Sequence, residues 1–111
     1  MDKRGILRDN RLFRRVYSKG SSRPGPVLVT YVLKNKSDAI RYGIATSRKI
    51  GGAVQRNRAR RVIRAAFRDL ASSLAGGCDI VFVARSKTCL VKSTAVKKEM
   101  ERQLRDAGVL R

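Results

Sequence analysis

The sequence predicts an α+β sandwich, an α-β layer arrangement in which one small sheet is packed with three helices in the order α-β-β-α-β-α. Two runs, VLVTYVLK at 27–34 and DIVFVAR at 79–85, are rich in the β-branched residues that suit strands. Three other segments repeat apolar residues at helical spacing. At 111 residues the chain can bury a single modest core and no second one, so 1–111 is read as one domain.

The first helix is expected around LFRRVYSKG, where Leu12, Phe13, Val16 and Tyr17 recur at i, i+1, i+4 and i+5. Asp9 or Asn10 can cap it and Gly20 can end it. SSRPGP then breaks the backbone. In the 27–34 strand, Val27, Val29, Tyr31 and Leu33 share one face and Leu28, Thr30 and Val32 the other. NKSD supplies a turn. RYGIATSR, 41–48, alternates Tyr42, Ile44 and Thr46 with the small Gly43, Ala45 and Ser47. That suits a strand paired antiparallel to its predecessor, with one face nearly bare. KIGG leads into a helix expected to run from 53 to about Leu74, where AGG stops it. DIVFVAR reads as a short buried strand. TAVKKEMERQLRDAG closes the chain as an amphipathic helix with Ser93 as cap and Gly108 past its end. Phe67 and Phe82 fall on core positions, and Tyr42 is undecided.

Lys and Arg total 27 against 8 Asp and Glu, a formal charge of +19. Such an excess repels itself unless a polyanion neutralises it, which makes nucleic acid the leading partner. The opening MDKRGILRDNRLFRR has no apolar run long enough for a signal peptide or a spanning helix, and its acids at 2 and 9 argue against an organelle transit peptide. The expected compartment is the cytoplasm, with no membrane partner. Cys78 and Cys89 match no zinc or redox spacing and are read as reduced structural thiols.

Residues 53–68, AVQRNRARRVIRAAFR, hold six arginines. On a helix, Val62, Ile63, Ala66, Phe67, Leu70 and Leu74 gather on one side, while Asn57, Arg60, Arg61, Arg64 and Arg68 fall within an arc of about 100° facing away. Arg58 flanks that arc and Arg56 lies off it in the first turn. A solvated charged face normally mixes signs so that i, i+4 pairs offset repulsion. Between Arg41 and Arg68, however, there are eight arginines, one lysine and no acid. Arginine also grips phosphate bidentately and stacks on bases, as lysine does not. Asn57 could read a base edge or a ribose hydroxyl, or simply help cap the first turn. Arg48 and Lys49 precede the helix, where unpaired N–H groups and the positive end of the helix dipole favour a phosphate. Gly51 and Gly52 there could equally form a plain loop.

RNRARRVIR, Arg56 to Arg64, resembles the arginine- and asparagine-rich signature of the bacterial ribonuclease P protein component, the small basic subunit of the ribonucleoprotein that removes the 5′ leader from precursor tRNA. LFRRVYSKG, VLVTYVL, YGIATSRKIG and DIVFVAR resemble the same family in order and spacing, so nearly the whole chain is covered. Ala59 stands where a larger aliphatic residue is usual, which would thin the packing under the helix. The resemblance implies a mixed sheet of the ribosomal protein S5 domain 2-like kind, in which strand 41–48, the arginine helix and strand 79–85 form a left-handed β-α-β crossover. Pattern rules alone favour the right-handed form. It also implies a division of surfaces. Arg48, Lys49, Arg56, Asn57, Arg58, Arg60, Arg61, Arg64 and Arg68 would bind the RNA subunit. Phe13, Val16, Tyr17 and Tyr31 would bind the single-stranded leader, for which aromatic rings offer a sequence-tolerant stacking platform. On pattern alone, Phe13 and Tyr17 are equally good core residues.

Protein-catalysed phosphodiester hydrolysis usually needs clustered carboxylates on metal ions or a histidine acid and base. This sequence has no histidine, and Glu99 and Glu101 project about 200° apart on a helix. There is no P-loop and no nucleophile elbow. The resemblance places catalysis on the RNA subunit, with Mg²⁺ bound mainly there, precursor tRNA as substrate and the protein monomeric apart from its RNA. A ribosomal protein would share the charge and the fold class. A helix-turn-helix DNA binder lacks a partner helix before residue 53.

Overall fold

The computed structural model describes residues 4–6 as backbone and residues 9–111 with their side chains; Asp2 of the opening segment lies outside them. In chain order the elements are β1 (Arg4–Ile6), α1 (Asn10–Lys19), β2 (Ser21–Arg23), β3 (Leu28–Lys34), β4 (Ile40–Ala45), α2 (Ala53–Leu70), β5 (Cys78–Ala84) and α3 (Ser93–Asp106). Short 3₁₀ turns follow α2 at Ala71–Ser73 and β5 at Ser86–Leu90. The strands form one mixed sheet in the order β1-β4-β5-β3-β2.

Strand alternation sorts the side chains into two layers. Leu28 and Val32 of β3, with Cys78, Ile80, Phe82 and Ala84 of β5, join the apolar sides of α2 and α3 in the main core. On the reverse face, among the described residues, α1 is the helix that covers the sheet. Val16 and Val81 are buried there, with Leu12, Phe13, Tyr31, Leu33, Ala45 and Val83 packed partly buried around them. The expected bare face of β4, at Gly43 and Ala45, lies on this thinly covered side.

Two expectations about the sheet are corrected. β4 does not pair with β3. It pairs parallel with β5, Gly43 opposite Val81, and β5 in turn pairs antiparallel with β3, Tyr31 opposite Val81. The local alternation that identifies a strand does not identify its neighbour. Two short strands were also not expected. β2 lies within SSRPGP and pairs antiparallel with β3, and β1 pairs parallel with β4. β4 ends at Ala45, short of residue 48, and α2 ends at Leu70, with residues 71–73 tightening into a 3₁₀ turn before Leu74.

The helix ends follow the capping rules unevenly. Asp9 caps α1 by accepting from the Arg11 amide at 2.8 Å, and Gly20 ends it. That amide, and then the Arg11 side chain, holds the Asp9 carboxyl below its usual range. Ser93 is not the cap of α3 but its first residue; Lys92 occupies the cap position and makes no side-chain capping bond. Gly108 ends α3 with φ +77°, a left-handed geometry suited to glycine.

α3 fixes the start of β3 through polar side chains in an otherwise apolar layer. Glu99 Oε2 accepts from the Val27 and Leu28 amides at 2.8 and 2.9 Å. Gln103, fully buried, donates from Nε2 to the Leu28 carbonyl at 2.9 Å and accepts from the Thr30 hydroxyl. Both cysteines are free and buried, as expected. Burial, and secondarily Asp79, pushes the Cys78 thiol up to about 11, so it is protonated at neutral pH.

Gln103→Leu conserves volume but strands the Thr30 hydroxyl and the Leu28 carbonyl in the core. We expect a loss of about 1–3 kcal/mol in urea unfolding with unchanged m-value; an unaltered midpoint would show that this clamp does not hold β3.

Candidate nucleic-acid interface

The arginine helix is aimed by its core side. Ile50 is buried and anchors the loop that precedes α2, while Arg48 and Lys49 on the same turn are exposed. Gly51 then takes φ +143°, where any side chain is strained, and a Cβ would also meet the Gln55 side chain at 3.0 Å. Gly52 caps α2 without a side-chain bond. Ala59, Val62, Ile63, Ala66, Phe67 and Leu70 are buried, and the Phe67 ring packs between Tyr42 at 4.6 Å and Phe82 at 5.3 Å. Tyr42 is thus a core residue. Ala59 is fully buried, so a small side chain fits beneath the helix at that position.

With that side fixed, Asn57, Arg58, Arg61, Arg64 and Arg68 are exposed and Arg56 and Arg60 half-buried. Val54, Asn57, Arg60, Arg61 and Arg64 line an open depression of about 550 Å³ along the helix. Among the described residues no carboxylate pairs with an arginine of α2. Arg41 is different. Asp79, 3% exposed at its side chain, accepts from Arg41 Nε at 2.9 Å and Nη2 at 2.8 Å, and from Asn35 at 3.1 Å. This bidentate pair withdraws Arg41 from the cationic field, which begins at Arg48.

Three side chains of the signature are held by the fold. Arg58 donates from Nε to the Cys89 carbonyl at 2.8 Å. Arg60 donates from Nη1 to Asn57 Oδ1 at 3.1 Å and from Nη2 to the Thr46 hydroxyl at 2.8 Å. Asn57 therefore does not cap the helix. Its carbonyl orients Arg60, and its amide N–H groups stay available to an outside acceptor.

A second depression, of about 500 Å³, lies where α1 meets the open end of β4. β1 pairs only with residues 40–42, so within the described residues the β4 edge is uncovered at Ile44–Thr46. Phe13, Arg14 and Tyr17 of α1 form one wall, Ile44, Ala45 and Thr46 another, and Arg60 reaches in from α2. The Phe13 and Tyr17 rings are 6.4 Å apart, and Tyr17 meets Tyr31 edge-on at 4.9 Å. Burial, and then the neighbouring Tyr31, raises the Tyr17 phenol above its ordinary value, so it stays a neutral donor. Val16 is a correction. It is 0% exposed, packs on Val81 and supports the ring ledge from beneath without being accessible to a ligand. Tyr31 reaches this site as the ring partner of Tyr17 and does not line the cavity.

Arg14, Ile44, Ala45 and Thr46 were not singled out from sequence. The small-residue face of β4 was the available signal for Ala45. Nothing local marks Thr46, whose role is to hold an arginine 14 residues away. The two depressions share Arg60, so one surface runs from the aromatic ledge to the arginine ridge. Backbone phosphates, unpaired bases and ribose hydroxyls are the groups that such a combination of side chains suits chemically. Among the described residues no three His, Cys, Asp or Glu side chains converge as a metal site, and no helix is long and apolar enough to cross a membrane.

Comparison with known proteins points to one family. Residues 1–108 match the family model described as Ribonuclease P. The chain is 38% identical over 111 residues to the ribonuclease P protein component of Shouchella clausii strain KSM-K16, covering 99% of this chain and 91% of that protein. It is 47% identical over 83 residues to that of Clostridioides difficile strain 630, covering 74% and 72%. Among solved structures, the Staphylococcus aureus RNase P protein superposes with TM-score 0.83 at 33% identity, covering 96% of this chain and 97% of that one. The Thermotoga maritima RNase P protein does so with TM-score 0.80 at 30% identity, covering 91% and 96%.

Proposed function

The chain belongs to the bacterial ribonuclease P protein family, and on that premise we propose that it binds the catalytic RNA subunit through the arginine side of α2 and the single-stranded 5′ leader of precursor tRNA through the aromatic cleft. As the protein component of ribonuclease P it works in a ribonucleoprotein and its partner is RNA. The observation that carries the finer reading is the row of α2 arginines that no carboxylate among the described residues pairs, joined at Arg60 to a cleft walled by aromatic rings.

In this reading the chain supplies no bond-breaking group. The RNA subunit performs the hydrolysis and holds most of the Mg²⁺, which supplies activated water and stabilises the leaving oxygen. The protein's residues do three other things. Arg61, Arg64 and Arg68 present guanidinium groups to backbone phosphates, with Arg48 and Lys49 extending the row past the helix start. Phe13 and Tyr17 hold unpaired leader bases by stacking, which tolerates leaders of differing sequence, and Tyr31 contributes by bracing the Tyr17 ring edge-on. Arg60, fixed by Asn57 and Thr46, sits where the two RNA chains converge and offsets their mutual repulsion. The protein acts as a monomer apart from its RNA, in the bacterial cytoplasm.

The decisive experiment is reconstitution with a bacterial ribonuclease P RNA at low Mg²⁺, measuring precursor tRNA cleavage with and without the chain. We expect strong stimulation, and no cleavage by the chain alone; cleavage by the RNA-free polypeptide sinks the reading. Engagement of about six phosphates gives a slope of about 4 to 5 in log affinity against log salt, and Arg61→Ala or Arg64→Ala should weaken RNA-subunit binding and lower that slope by about one each, with little loss of fold. An unchanged dissociation constant at fixed salt counts against this face. Phe13→Ala and Tyr31→Ala should instead reduce the preference for precursor over mature tRNA, by about 1–3 kcal/mol for each stacked base lost, and a preference that survives both would remove the leader from this cleft.

A further inference from the structure

The other flank of α2 carries a third depression, of about 450 Å³, between the middle of that helix and the start of α3. Val62 and Ala65 contribute apolar lining, while Arg58, Arg61 and Lys92 supply cations from both helices. None of its lining residues is an acid. We propose that this groove is a second docking track for the RNA subunit and takes a stretch of its sugar-phosphate backbone, so that the RNA is gripped on both flanks of the Arg61 ridge. The proposal rests on the assignment of the arginine side of α2 to that RNA.

Four observations favour it. Arg61 lines both this groove and the depression on the opposite flank, so a strand held on one side is continuous with the other. Arg58 is fixed at the groove by the bond from its Nε to the Cys89 carbonyl, which leaves both Nη groups for an outside acceptor. The Ser93 and Thr94 side chains, also at this groove, bring hydroxyls suited to phosphate or ribose. The fourth is a contrast within the same pair of helices. Farther along, Asp69 of α2 meets Lys97 of α3 at 3.8 Å and the charge is balanced. At the Lys92 end three cations share one groove with no counterion among the described residues, an arrangement that a bound polyanion stabilises. The apolar lining suits a ribose or a base face better than a free phosphate. The leader cleft meets α2 at Arg60, on the flank opposite this groove, so the RNA subunit held along the Arg61 ridge is the nearer partner.

The test uses the full chain with the RNA subunit. Lys92→Ala and Lys92→Glu are compared with Lys98→Ala, which removes an exposed cation of α3 outside the groove. Dissociation constants are measured across a salt series, and precursor-over-mature discrimination is measured in the assembled holoenzyme. We expect Lys92→Ala to weaken RNA-subunit binding severalfold and to lower the salt slope by about one. Lys92→Glu should weaken binding further, with discrimination unchanged for both and Lys98→Ala close to wild type. If Lys92→Glu binds normally while Arg64→Ala is impaired, the groove is not an RNA track and the α2 assignment stands. If both bind normally, the α2 assignment itself is lost. A Lys92→Glu defect confined to discrimination would give the groove to the leader and overturn the proposal. Because Lys92 is exposed and has no ion-pair partner among the described residues, thermal unfolding of each variant separates a binding defect from a folding one.

Discussion

The rotation of α2 about its own axis is the constraint on which the cationic surface depends. Six side chains, Ala59, Val62, Ile63, Ala66, Phe67 and Leu70, are buried on one side of that helix. Fully burying a Val, Leu, Ile or Phe is worth about 1.5–3 kcal/mol, and exposed charge interactions are typically worth about 1 kcal/mol or less each. Packing therefore decides the setting, and electrostatic repulsion among the arginines cannot undo it. A turn of one residue, about 100°, would lift Phe67 out from between Tyr42 and Phe82 and drive guanidinium groups into the sheet. The interface is rigid because its reverse side is a core.

The acids complete the arrangement by where they are used. Asp9 caps α1, Asp79 neutralises Arg41, Glu99 holds two amides of the β3 region, and Asp69, Glu101 and Asp106 pair with cations of α3. Each is engaged in local structure away from the exposed row on α2. The isolated protein keeps a strongly positive strip because none of these six carboxylates pairs with an arginine of α2. That condition raises encounter rates with a polyanion and makes binding salt-dependent.

Much of this was legible in the residues, because the informative patterns are local. Alternation placed Leu28, Thr30 and Val32 together on one face, which the structure buries, and helical spacing separated Phe67 and Leu70 from Arg61 and Arg64. Asp9 and Gly20 bounded α1 through backbone chemistry that needs no tertiary context. What escaped was set by contacts between distant segments. β1 and β2, three residues each, are defined by the strands they pair with and not by a pattern of their own. The i, i+4 spacing of Phe13 and Tyr17 gave core and cleft equal standing, and Val16 between them proved wholly buried. The hold of Thr46 on Arg60 joins a strand end to a helix face and has no signature in either segment alone.

The central place of β5 in the sheet bears on the order in which the chain can acquire structure during synthesis. β3 and β4 are made early but lie on either side of a strand that comes only at residues 78–84. Until then they cannot join, and the nascent polypeptide holds at most two separate strand pairs, β1 with β4 and β2 with β3. The cationic segment at 48–68 thus leaves the ribosome, itself a large polyanion, before its apolar side has a finished sheet to lie on. Closure waits for long-range pairing, a slow step for topologies of this kind, and the polypeptide is most exposed to indiscriminate RNA contact in that interval.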